Sequence, residues 1–216
     1  MQGNAAEMDK QFWDLVGVLA PNFPPPDPDI KREDKTVDGV GVRIYTPAGS
    51  GPKPVGIYTH GGGFVTGNLD SESLICDVIS KNNNVIIVSV DYRLAPKHKH
   101  PSALEDSVKV FKWAYAHADE LGGDKSKFFT MGGSAGGGLA LSVANQIVKE
   151  SSTRDQIKGV VALVPTTVHK DNVPSEYRSE HTSMTDNTDA PVINDTSMDS
   201  FYSKPGQIYD HVDRPS

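Results

Sequence analysis

The 216-residue chain carries a formal charge of −7 and has no run of Lys or Arg that would make a basic patch, which excludes nucleic acid as a partner. No stretch approaches the roughly 18 consecutive apolar residues of a membrane span, and residues 1–10 lack the basic-then-apolar order of a secretory signal, so a cytoplasmic protein is expected. A single cysteine, Cys76, excludes a disulfide framework and a multi-cysteine metal site; its neighbours Leu74, Ile75, Val78 and Ile79 mark it as a buried structural thiol.

In chain order, residues 11–19 predict a short amphipathic helix with Phe12, Leu15, Val16 and Leu19 on one stripe. Residues 21–28 carry five prolines and cannot lie inside a helix or strand. Residues 36–45 alternate as one strand would, and a Pro/Gly-rich turn over 47–54 follows. Residues 55–60 read as a buried strand that runs directly into Gly61-Gly62-Gly63. A helix over 71–80, a β-branched strand over 84–90 and the loop Asp91-Tyr92-Arg93-Leu94-Ala95-Pro96 come next.

Ser102-Ala103-Leu104-Glu105 has capping-box spacing and opens a helix with Leu104, Val108, Phe111 and Tyr115 on one face. A strand over 127–131 meets a helix that starts near Ser134 and points Leu139, Val143 and Ile147 inward. Residues 157–164 form a further apolar strand. From Thr166 onward the chain is polar, with one weak helical pattern over 196–202. Asn194-Asp195-Thr196 matches a glycosylation sequon, read as chance without a signal peptide. The strand–helix alternation over 55–164 predicts an α/β fold: a mostly parallel sheet with helices on both faces and sites beyond the carboxyl ends of the strands.

Two glycine-rich motifs fall at such ends. Gly132-Gly133-Ser134-Ala135-Gly136 is a G-x-S-x-G at a strand-to-helix junction, where small residues let the backbone turn sharply and expose a serine hydroxyl. A serine becomes a nucleophile when a base, usually a histidine oriented by a carboxylate, takes its proton. The resulting oxyanion needs fixed N–H donors, each worth on the order of 3 kcal/mol. His60-Gly61-Gly62-Gly63-Phe64 can supply them, together with the amide of Ala135. Either motif alone could be a plain turn; both together, in this order, indicate acyl transfer through Ser134. A nucleotide-binding reading fails, because Leu139-Ala140 follows the glycines of 133–138 where a phosphate loop needs Lys-Ser/Thr.

Over residues 30–205 the chain resembles the hormone-sensitive-lipase-like, fold-3 branch of the α/β-hydrolases, and within it the fungal members. The resemblance rests on His60 to Phe64, on Asp91 to Pro96 with Pro101-Ser102-Ala103-Leu104-Glu105-Asp106, and on Gly132 to Gly137. It implies a carboxylesterase acting on a small-molecule ester, with no cofactor and no metal, and allows a homodimer. Carried across, Ser134 is the nucleophile and Gly62, Gly63 and Ala135 form the oxyanion hole, with His60, Gly61, Gly132 and Gly136 in support. It also implies one hydrolase domain over 1–216, with an N-terminal cap segment (1–35), a core sheet (36–168) and a cap insertion with a divergent tail (169–216).

The chain departs from the pattern at Gly133, where Asp is usual, and at Lys97, where Glu is usual. The family's acid and base segments have no counterpart, so the chain is expected to be truncated and weakly active or inactive. His169, His181 and His211 follow Ser134 without a strand to carry them. His98 and His100 read as solvated loop residues, and His117 as a helix-surface residue. The competing reading is a non-catalytic small-ligand-binding protein on a hydrolase scaffold.

Overall fold

The computed structural model describes residues 5–168, 172–190 and 193–202. Helix α1 (Ala5–Leu19) starts earlier than its apolar stripe suggested and gives way to a 3-10 turn, Ala20–Asn22. Strands β1 (Ile30–Val37) and β2 (Val40–Pro47) form a hairpin. The single strand expected over 36–45 is therefore corrected. Asp38 and Gly39 take positive φ values of 48° and 84°, as the two central residues of a hairpin turn must. The sequence of β1 hides it. Lys31 and Lys35 both pair with Glu33 at 2.8 Å, so this edge strand is charged where an internal strand would alternate.

β3 (Lys53–Thr59), β4 (Ile86–Asp91), β5 (Gly123–Gly133) and β6 (Gly159–Leu163) complete one sheet in the order β1-β2-β4-β3-β5-β6. The four strands from β4 to β6 run parallel, as the alternation required. Helices α3 (Ser102–Ala116) and α5 (Ala135–Lys149) cover one face. There Val108, Phe111, Leu139, Val143 and Ile147 pack on Val55, Ile57, Val88 and Phe128 in the main core. Helix α2 (Ser73–Asn83) covers the other face, where Cys76 lies buried with Tyr45, Tyr58, Ile87 and Met131. Burial pushes the Cys76 thiol pKa up and keeps it protonated.

Two local expectations fail. Asn84 is the left-handed cap that ends α2 (φ 51°), so the following strand begins only at Ile86. No side-chain bond caps α3: Ser102 is already its first residue, and the Glu105 carboxylate pairs with Arg93. A four-residue helix, α4 (Ala118–Leu121), was not legible; Gly122 ends it at φ 74°. Among the described residues after β6 lie α6 (Ser183–Asp186) and α7 (Asp195–Tyr202), the latter on the weak pattern noted above. Asn194 and Ser197 cap α7 reciprocally, each side chain accepting the other's N–H. Among the described residues, no helix is long and apolar enough to cross a membrane.

Candidate active site

The site is assembled by two neighbouring strands. β3 and β5 pair in parallel with Thr59 opposite Gly132, so the loops that leave their carboxyl ends emerge side by side. The first is His60 to Phe64 and the second is the serine turn.

Ser134 stands at φ 54° and ψ −122°, a conformation that costs a non-glycine residue on the order of 1–3 kcal/mol. Surrounding bonds impose it. Its N–H donates to Leu163 O at 2.9 Å, and its carbonyl accepts from the N–H groups of Gly138 and Thr166, both at 3.1 Å. The flanking glycines are steric requirements. A Cβ on Gly136 would lie 2.0 Å from Thr59 O and 2.4 Å from His60 O, and one on Gly132 would lie 2.4 Å from Thr59 O. The Thr59 hydroxyl donates to Gly136 O at 2.7 Å. Gly133 is different: nothing lies within 4 Å of a Cβ there.

The triglycine turn meets this elbow at Gly61. A Cβ there would stand 3.3 Å from Gly133 O and 3.7 Å from Ser134 Cβ. Gly62 (φ 113°) accepts N–H bonds from Val65 and Thr66 at 3.1 Å on its carbonyl. Gly63 (φ 62°) lies under the Phe201 ring of α7, 2.1 Å from where its Cβ would be. Ala135, buried, is the first residue of α5. The pairing of β3 with β5 thus brings Ser134, Ala135, Gly61, Gly62 and Gly63 to one end of the sheet.

His60 is buried and stacked on Tyr92, with ring centroids 4.2 Å apart. Its Nδ1 lies 2.7 Å from Gly61 O, which only accepts, so Nδ1 carries the proton. Burial lowers the imidazole pKa to about 4 and keeps it neutral. The Tyr92 hydroxyl donates to His60 O at 2.7 Å. Arg93, next in the chain, pairs through Nε with buried Asp106 at 2.8 Å and anchors the 91–96 loop to α3.

Sequence reasoning missed two supports of the triglycine turn. The Thr66 hydroxyl donates to Asp9 of α1. Glu72 accepts the Gly61 N–H at 3.1 Å on one carboxylate oxygen and the Tyr58 hydroxyl on the other. Neither lies in a motif, and neither spacing signals the contact.

The remaining histidines sit elsewhere or are tied locally. His98 and His100 line a small recess with Phe64, Arg93 and Leu104. His117 stacks on Trp113, and the His181 N–H donates to Tyr177 O. His169 and His211 lie outside the described residues. Among the described residues, no group of three or more His, Cys, Asp or Glu is arranged to hold a metal ion.

A mostly parallel sheet covered on both faces, with a sharp G-x-S-x-G turn after its fifth strand, defines an α/β-hydrolase. Residues 56–213 match a family model described as alpha/beta hydrolase fold, and the chain belongs to the fold-3 branch of that family. It is 44% identical over 204 residues to the versiconal hemiacetal acetate esterase of Dothistroma septosporum, covering 94% of this chain and 62% of the relative. The enzyme of the same name from Aspergillus parasiticus is 39% identical, with 87% of this chain and 59% of the relative covered. A hyperthermophilic esterase from the archaeon Pyrobaculum calidifontis superposes with a TM-score of 0.78 at 29% identity, covering 94% of this chain and 64% of that one. The chain spans about six tenths of the length of the curated relatives it matches, 62% and 59% for these two.

Proposed function

We propose that this chain carries the nucleophile and oxyanion hole of a serine carboxylic-ester hydrolase. Ser134 Oγ attacks the ester carbonyl, and the alcohol leaves as the acyl-enzyme forms. Water then releases the acid. The N–H groups of Gly62, Gly63 and Ala135 stabilise the tetrahedral oxyanion, each worth on the order of 3 kcal/mol. The proposal assigns no residue as acid or base.

The observation that carries the reading is the positive φ of Ser134, held directly against Gly61 of the triglycine turn. A binding protein has no need to keep a serine in a costly conformation beside a row of glycine amides. The two fungal relatives are named as acetate esterases, so the substrate class proposed is a short-acyl, acetate-type ester.

Hydrolysis of p-nitrophenyl acetate and a longer-chain p-nitrophenyl ester tests this, with Ser134→Ala as the control. The expected outcome is weak turnover, without an assigned base, that favours the acetate and disappears in the variant. Turnover that survives Ser134→Ala would overturn Ser134 as the nucleophile, whereas a folded chain that binds esters without cleaving them would point to the ligand-binding alternative.

A further inference from the structure

Glu72 belongs to no motif, yet its side chain stands at the seam of the site. One carboxylate oxygen accepts the Gly61 N–H at 3.1 Å and the other accepts the hydroxyl of Tyr58, a buried residue of β3. The first oxygen is 3.0 Å from where a Gly61 Cβ would be, a point that is also 3.3 Å from Gly133 O and 3.7 Å from Ser134 Cβ. Gly133 contributes no side chain to this seam, so the carboxylate comes from the start of α2.

Three consecutive glycines have wide conformational freedom, while an oxyanion hole works only if its donors are already aimed. Something outside the turn has to choose its conformation. The first amide, Gly61, is taken up by a charged acceptor, a stronger bond than a neutral one. Among the described residues, the two glycines after it, at φ 113° and 62°, have no such charged partner for their N–H groups. We infer that Glu72 is a positioning residue: by holding the Gly61 N–H against β3 and α2, it sets the orientation in which the Gly62 and Gly63 amides face the substrate oxygen. This rests on the hydrolase reading of Ser134. Tyr58 in turn fixes the carboxylate, and its hydroxyl stays protonated because burial and the Glu72 charge both raise its pKa.

The test compares Glu72→Ala, Glu72→Gln and Tyr58→Phe in the full chain by two readouts. The first is the rate of fluorophosphonate labelling at Ser134. Glu72→Ala is expected to slow it by about 10- to 100-fold, the effect of a displaced catalytic group, with the change in kcat and little in KM on p-nitrophenyl acetate. Glu72→Gln keeps an oxygen acceptor and is expected to recover most of that rate, with Tyr58→Phe in between. The second readout is hydrogen exchange at the Gly61 amide, which should lose protection in Glu72→Ala and keep it in Glu72→Gln.

Labelling of Glu72→Ala at the parent rate, or unchanged Gly61 exchange in that variant, overturns the inference. So does a Glu72→Gln chain that is as slow as Glu72→Ala while its Gly61 amide stays protected. A parent chain that takes no label at Ser134 overturns the hydrolase reading instead, and Gly61 exchange then decides the Glu72 contact by itself.

Discussion

The serine elbow and the triglycine turn lie side by side but are held in different ways. The elbow is locked by backbone contacts that its own glycines make possible. Gly132 and Gly136 press on the end of β3, where a single added carbon would overlap Thr59 O, and backbone bonds from Leu163, Gly138 and Thr166 clamp Ser134. The triglycine turn is held from outside, by Glu72, by Tyr92 on His60 O, by Asp9 on Thr66 and by the Phe201 ring on Gly63. The glycines that a backbone lock requires are visible as residue types in the sequence. A remote scaffold follows only from the assembled fold.

The sharpest way to break this contrast is Gly136→Ala. Its methyl group would lie 2.0 Å from a backbone oxygen that cannot move without shifting β3, so a loss of more than about 3 kcal/mol is expected. Thermal melting measures it, and a melting temperature like the parent's would show that the elbow is not locked by that contact.

On the turn side, pH replaces mutation. Above pH 6.5, the ordinary value, His60 is neutral folded or unfolded; between there and its folded value of about 4, only the unfolded chain takes up the proton. Stability is therefore complete above 6.5 and falls as pH drops through that window, by about 3 kcal/mol in all. Burial shifts His100 in the same direction. The carboxylates Glu33 and Asp124, held down to about 2 by their hydrogen bonds, act mostly below this window. Urea unfolding at pH 7, 5.5 and 4.5 reads the slope, and a flat profile would mean that His60 is not a buried neutral imidazole.

Tyr92→Phe is a milder perturbation of the same support. It strips the buried His60 carbonyl of a 2.7 Å donor and is expected to cost about 1–3 kcal/mol by denaturant unfolding. The smallest effect returns to the elbow. Gly133→Ala meets open space without a positive φ, so it is expected to stabilise the chain by about 0.4–1 kcal/mol, chiefly through the unfolded state. Destabilisation there would show that all the motif's glycines are needed sterically.

This asymmetry explains what could be read before the fold was known. The parallel sheet, the inward faces of α3 and α5 and the position of both glycine-rich motifs were legible, because each reflects a local period or a junction of strand and helix. The charged strand β1 was not, since an edge strand shields itself with Lys31, Glu33 and Lys35 and loses the alternation that marks a strand. Asp38-Gly39 carried the missing hairpin signal. The box spacing of Ser102 and Glu105 was misleading, because Arg93 competes for the carboxylate. Glu72 and Asp9 left no trace in the pattern: their partners, Gly61 and Thr66, become neighbours only when α2 and α1 pack against the turn.

The most direct test is a crystal structure of the chain after reaction with a small phosphonate ester. The account predicts a covalent adduct on Ser134 Oγ with its phosphoryl oxygen within about 3 Å of the Gly62, Gly63 and Ala135 nitrogens. An adduct on another residue, or a phosphoryl oxygen turned away from those amides, would contradict it.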